Sequence, residues 1–529
     1  MENLPENENL ELSAENQDTP EESTIFSDPA EHSYKNRGRK RKPWLTITAA
    51  VLAAAILVGT TVAIIKLIPK KENGSGDNNL LDNSISVLEK DANSLKTVKV
   101  ENKNGTLLFY SEKSTSNDTE TVNWYLDGYD KELISTTATE SIVGSASLIS
   151  ASQEITKMTV SDCGLDKPEI TVTVVENCGR TYKILIGDTS FDGANCYLKL
   201  ENKDSIYLCD ISLKESFELK PLDFATTASL SGMPITDEIA EYVSDEGAIF
   251  TFDTISVTGK NIEDKIILTP TTSTDNEIML SLYPYSVASP TQRYAETTSV
   301  DSIFSLFKNG LGGIVGAYSF DVSNASLKQF GLDNPDFKAT ISMGGKTLTY
   351  SFSIIGEENG TTYCAVINDY SKLISKVALS NVAFVEYRLS DLYTPYVCMI
   401  NIKSLSAFTV SSKDASYKFE LTPNDEDSFD VTLNGNKIDY DKYFNPLYTK
   451  VVTISCSDFT VTPVTGEPEF TFTFDFNEEN GGGKTVVKFY KISETRYQYV
   501  TDGLNLGKVN SNSVRKVIEL ISGIPMPLN

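Results

Sequence analysis

One turn-and-strand pattern, met three times along the chain, constrains the fold more than any other feature. The first copy reads Gly164-Leu165-Asp166-Lys167-Pro168, then Glu169 and the alternating run Ile170-Thr171-Val172-Thr173-Val174. The second reads Gly331-Leu332-Asp333-Asn334-Pro335, then Asp336 and Phe337-Lys338-Ala339-Thr340-Ile341. A worn third copy is Gly466-Glu467-Pro468, then Glu469 and Phe470-Thr471-Phe472-Thr473-Phe474. Period-two alternation puts one face of a strand on a core and the other on polar surroundings. Proline presets φ at the strand entrance, where its missing N–H costs least.

Other landmarks follow each copy in the same order. A Gly-basic-Thr triplet recurs at Gly179-Arg180-Thr181, Gly345-Lys346-Thr347 and Gly483-Lys484-Thr485, each followed by a further strand pattern, as a hairpin requires. A tyrosine then stands 29, 28 and 29 residues after the respective proline, at Tyr197, Tyr363 and Tyr497. Ordered landmarks at nearly fixed spacing mark an internal repeat. Each copy also opens with paired strands, such as Thr97–Val100 with Leu107–Tyr110 and Lys265–Leu268 with Ile278–Leu282.

Helical stripes accompany the strands. Val300, Ile303, Phe304, Phe307 and Leu311 form one, Phe444, Leu447, Tyr448 and Val451 a second, and Val514, Val517, Ile518 and Ile521 a third. The expected class is therefore α+β: an N-terminal transmembrane helix followed by three tandem modules, each an antiparallel sheet packed with helices.

The anchor is read from charge and hydropathy. Residues 1–34 hold ten Asp or Glu and no Lys or Arg, a composition that cannot bury enough apolar surface to order itself. The sign then reverses at Lys35, Arg37, Arg39, Lys40, Arg41 and Lys42, and Trp44 to Ile65 carries no charge. Such a run spans a hydrocarbon core of about 30 Å, and the basic flank orients the N-terminus to the cytoplasm. The expected division is 1–43 acidic cytoplasmic tail with its basic cluster, 44–68 membrane helix, 69–92 linker, 93–225 first module, 226–252 connector, 253–398 second module and 399–529 third module. The C-terminal region then lies outside the cytoplasm, and the bilayer is a partner through residues 44–68.

Composition excludes several chemistries. A formal net charge of −27 argues against nucleic acid as a partner, since phosphate neutralisation needs clustered Lys and Arg. The one histidine, His32, sits in the acidic tail, so the rest of the chain lacks the imidazole base of a Ser-His-Asp or Cys-His arrangement. Seven cysteines are too few for a disulfide scaffold of this length, although a bridge among Cys163, Cys178, Cys196 and Cys209 stays open.

Three short motifs read as structure. Gly481-Gly482-Gly483-Lys484-Thr485 has Glu478 where a phosphate loop needs glycine, and a strand pattern follows it in place of a helix. Ser305-Leu306-Phe307-Lys308 matches an acyl-enzyme S-x-x-K but lacks its partner motifs. The acidic run Asp425–Asp430 lacks the glycine and distal glutamate of a calcium loop. No catalytic, cofactor or metal residue is assigned. Tyr283, Tyr285 and Tyr294, close together in a Pro-containing loop, are the candidate surface contacts.

The G-L-D-x-P turn, the alternating strand, the G-K/R-T hairpin and Leu185-Ile186-Gly187-Asp188 together resemble domain of unknown function 4340. The likeness is strongest over about 140–215, good over about 300–385 and faint in the third copy. It implies a bacterial, membrane-anchored, extracytoplasmic protein without an established activity. It also implies an accessory role beside an ABC-transporter assembly, and the tandem modules without a convergent catalytic set lead to the expectation of a non-catalytic scaffold in a cell-envelope complex, with that assembly or a wall polymer as partner. The alternatives are a cell-surface ligand- or polymer-binding protein and an envelope enzyme.

Overall fold

The alternating segments become strands, and the turn glycines adopt the backbone that only glycine takes at low cost. Gly164, Gly331 and Gly466 have φ of 66°, 71° and 80°, and Gly179, Gly345 and Gly483 have 86°, 78° and 78°. This computed structural model describes residues 84–116, 119–271, 283–425 and 428–525, all within the unit Asp82–Asn529. The expected membrane segment 44–68 and its flanks lie outside these residues, as does the expected strand Ile278–Leu282. No described helix is long and apolar enough to cross a membrane.

The described residues form one two-stranded and three large sheets, all antiparallel. In spatial order the first large sheet runs Thr119–Leu126, Gly105–Ser116, Leu95–Asn102, Ile170–Glu176, Thr181–Thr189, Asn195–Leu200, Ile206–Asp210, Gln153–Ile155. The second runs Arg293–Tyr294, Tyr285–Ser289, Ile262–Pro270, Thr254–Gly259, Phe337–Met343, Lys346–Glu358, Thr361–Asn368, Ile374–Ala378, Ile314–Ser319. The third runs Asn436–Ile438, Ser428–Leu433, Ser416–Asp425, Leu405–Ser411, Phe470–Phe476, Lys484–Lys491, Arg496–Thr501, Leu504–Asn510, Cys456–Asp458.

All three follow one plan. An N-terminal meander joins a later four-stranded meander through a central pair, and a strand that comes after a helix (Thr136–Ser147, Thr297–Asn309 or Asn445–Val452) closes the far edge. The central pairs are Val98 opposite Val174, Val257 opposite Ala339 and Phe408 opposite Phe474. Each sheet buries its own apolar face in a separate core. Val98, Val172 and Ile184 are fully buried in the first core, Ile255, Ile341 and Phe352 in the second, and Phe408, Phe472 and Phe489 in the third.

The α+β expectation is corrected: strand accounts for 45% of the structure and helix for 23%, which makes the class mainly β. The apolar stripes do lie on helices, at Thr297–Asn309, Asn445–Val452 and Ser511–Ser522, but each helix is short and covers only part of a sheet. Leu311 falls beyond the first of these, after Gly310, and bridges to Leu230. Short edge strands such as Gln153–Ile155 and Cys456–Asp458 add the rest of the β content. They show no periodicity, because three residues are too few to carry one.

Two stretches read as connections hold structure. Ile85–Glu89, inside the expected linker, pairs with Leu148–Ala151. The connector 226–252 contributes Met233, Ile239, Ile249 and Phe252 to the second core. All seven cysteines are free, and six of them are buried.

Candidate functional site

The junction between the second and third sheets is stitched by the segment around residues 393–400. Tyr393 bridges to Ala295 on the second sheet's side, and Tyr396 bridges to Ser455 on the third's. Thr394 N donates to Tyr294 O at 3.2 Å and Val397 N to Ile454 O at 3.0 Å. Tyr283 leaves the second sheet's chain segment and buries its ring in the third core, where its hydroxyl donates to Met399 O at 3.1 Å. It stacks on Tyr294 with ring centroids 4.4 Å apart and planes 11° from parallel.

A cavity of about 650 Å³ opens along this seam. That volume lies within the range of small-molecule sites, about 300–1,000 Å³. Arg293 and Tyr294 from the second sheet, Tyr283 just before it, Tyr396 and Met399 from the crossing segment, and Tyr499, Asp502 and Leu506 from the third sheet and its last hairpin all line it. The Gly481-Gly482 turn and Thr485 add a further wall. Burial raises the hydroxyl pKa of Tyr283, Tyr294 and Tyr499, with the Asp502 carboxylate adding to the effect at Tyr294. These hydroxyls are therefore neutral at pH 7.

Arg293 is the charged centre of the seam. Its guanidinium carbon lies 4.0 Å from the Tyr393 ring centroid and 5.0 Å from that of Phe459. Such cation–π contacts hold the guanidinium plane in place. Nη2 donates to the carbonyl oxygen of Leu506. Nε and Nη1 are buried and have no hydrogen-bond partner. Among the described residues no carboxylate forms an ion pair with it.

The three candidate tyrosines separate. Tyr283 and Tyr294 line the cavity, with Tyr283 only 5% exposed. Tyr285 turns to the second core, stacks on Phe252 at 5.7 Å, and donates its hydroxyl to Asp301 at 2.8 Å. Sequence reading missed Arg293, Tyr396, Tyr499 and Asp502. The available signal was Arg293 itself, one of five arginines after residue 71, placed beside Tyr294 in the Tyr- and Pro-containing loop.

The remaining landmarks are structural in place. Gly179 and the pair Gly344-Gly345 make tight hairpin turns, and Gly483 ends the longer loop before Lys484–Lys491. Tyr197, Tyr363 and Tyr497 stand in equivalent strands, and Tyr497 donates its hydroxyl to Glu469 at 2.8 Å. Pro168, Pro335 and Pro468 each precede the first strand of the later meander. Ser305 donates to Ser302 O within its own helix, while Lys308 lies over the ring of Phe304. The acidic run falls between paired strands Ser416–Asp425 and Ser428–Leu433, with residues 426–427 outside the description. Among the described residues no cluster of His, Cys, Asp and Glu has the geometry to hold a metal.

Residues 124–253 match the family model of the Domain of unknown function (DUF4340). This span begins at Trp124, near the end of the last strand of the first sheet's N-terminal meander, and takes in the later strands of that sheet and the connector. No curated protein matches the chain.

Proposed function

We propose that this chain is a non-catalytic, membrane-anchored extracytoplasmic protein that captures a ligand in the cavity between its second and third sheets. The observation that carries this reading is the convergence there of Tyr283, Tyr294, Tyr396, Tyr499 and Arg293 around about 650 Å³ of space. Aromatic walls with a few fixed polar groups are the usual make-up of a binding site. The uncharged run 44–65 behind a basic cluster supports the tether, with the N-terminus in the cytoplasm. The shared strand order and the matching glycine conformations support descent of the three large sheets from one repeated module. In this reading the seam between the second and third sheets became a pocket.

The test is ligand screening on the full chain purified in detergent, with wall glycans, muropeptides and envelope metabolites, read by thermal shift and calorimetry. Saturable binding that Tyr294→Ala and Tyr396→Ala weaken supports capture. Binding that these substitutions leave unchanged sinks it.

A second reading, an accessory or scaffold component of a bacterial envelope complex such as an ABC-transporter assembly, draws on Phe191. Its side chain is fully exposed on a turn that Ser190, Asp192 and Ala194 hold by hydrogen bonds. A large exposed aromatic on an ordered turn has the character of an interface anchor. Crosslinking from native membranes, with Phe191→Ser as the control, tests it. An unaltered crosslinking pattern removes the turn as a contact.

A further inference from the structure

We infer that Arg293 is the receptor for a carboxylate, and that the ligand of the seam cavity is a monoanionic carboxylate with an apolar or aromatic body. This inference rests on the capture reading above. A guanidinium carries five N–H donors in a planar fork and stays charged at any physiological pH. The protein supplies Arg293 with one neutral acceptor, Leu506 O, and two aromatic faces. Nε and Nη1 are left unpaired. Buried donors without acceptors are costly, and natural folds rarely keep them without a reason.

Each open donor shares an edge of the guanidinium with Nη2, and the edge that the bond to Leu506 O leaves free offers two donors that match the two oxygens of a carboxylate. Stacking on Tyr393 and Phe459 fixes that edge before any ligand arrives, which lowers the ordering cost of binding. Both nitrogens are shielded from water. A ligand carboxylate therefore reaches them only as the atoms that cover them shift, and the resulting pair is sheltered from solvent screening.

Charge count selects one negative charge over two. Arg293 is the one cation among the described lining residues, and Asp502 brings a carboxylate to the same wall. A phosphate dianion would face that repulsion with a single cation to offset it. Tyr294, Val397, Met399, Ile400, Leu504 and Leu506 supply the surface for the rest of the ligand.

The experiment measures binding of three probe classes to the detergent-solubilised full chain at pH 7. They are carboxylates (N-acetyl-tyrosine and a muropeptide with a free carboxylate), the matching primary amides, and inorganic phosphate. The expected result is at least tenfold preference for an acid over its amide. Arg293→Gln should abolish that preference, and Arg293→Lys should restore part of it. Arg293→Lys also serves where the glutamine variant fails to fold. Equal binding of acid and amide overturns the carboxylate assignment and leaves capture standing. Preference for phosphate overturns the monoanion assignment. Binding of none of the probes overturns this inference, while the broader screen alone decides capture.

Discussion

Lys214 Nζ lies 2.9 Å from Glu169 Oε2, although the lysine side chain is only 5% exposed. The same ammonium donates to Gly187 O at 3.0 Å and Thr189 Oγ1 at 3.2 Å. It thus ties the helix Ile211–Phe217 to the acidic residue that follows Pro168. The acid in this position is tied in each large sheet, but by different partners. Asp336 pairs with Lys260 at 2.9 Å and accepts from Ile354 N at 2.8 Å, and Glu469 accepts from the Tyr497 hydroxyl. Removing Lys214 strands a buried carbonyl, whereas removing the Glu169 charge leaves a buried cation with neutral partners. Both Lys214→Ala and Glu169→Gln should lower stability by about 1–3 kcal/mol. Chemical denaturation followed through Trp124, which is buried in the first core, checks this. A midpoint unchanged in both variants contradicts it.

Two glycines of the first sheet should respond very differently to alanine. A Cβ on Gly187 would stand 2.1 Å from the carbonyl oxygen of Cys163, which is backbone and cannot swing away. Gly179 has open space around its missing Cβ, and its only obstacle is a φ of +86°. Gly187→Ala should cost about 3 kcal/mol by forcing the turn before Pro168 off the sheet. Gly179→Ala should cost about 1–2 kcal/mol. Equal melting shifts for the two variants would show that the turn does not dock as described.

Phe472 is fully buried, with ring centroids 5.0 Å from Phe489 and 5.7 Å from Phe408. Phe472→Ala should cost about 3–5 kcal/mol. Phe472→Asp should unfold the third sheet and leave the first folded, because their cores are separate clusters. Limited proteolysis with mass mapping reads the outcome: early cuts should fall after about residue 399. Cuts spread evenly along the chain would mean that the sheets unfold together.

Asp458 shows a pH dependence with a definite sign. Its carboxylate accepts from Thr460 N at 2.8 Å, Thr460 Oγ1 at 2.6 Å and Lys508 Nζ at 3.0 Å, which holds its pKa down to about 2. A depressed pKa means that the folded state favours the ionised form. The stabilisation is thus complete above the unfolded-state value of about 4 and is lost as pH falls towards 2. Its side chain is 34% exposed, so the contribution is about 1 kcal/mol after solvent screening. Between pH 4 and 2 the wild type should lose its advantage over Asp458→Asn. A stability gap constant across that interval contradicts the assignment.

Much of the local structure was legible because it depends on short-range periodicity. Thr97–Val100 pairs with Leu107–Tyr110 in the register that alternation implies, Thr97 opposite Tyr110 and Val100 opposite Leu107. The stripe Val514, Val517, Ile518 and Ile521 lies on the helix Ser511–Ser522. The balance of helix and strand was misjudged, since a helical stripe announces itself over a dozen residues whereas an edge strand of three does not.

The amino-acid order alone determined which segments alternate, where glycine must turn the chain, and which helix faces are apolar, because each follows from neighbours a few positions apart. Only the tertiary structure decided that Tyr283 crosses into the third core, that Tyr285 does not join it, and that Arg293 keeps two unpaired donors beside a cavity. The cavity wall is assembled from Thr271 and from residues 283–294, 394–400 and 476–506. Packing between sheets sets those juxtapositions, and no periodicity along the chain encodes them.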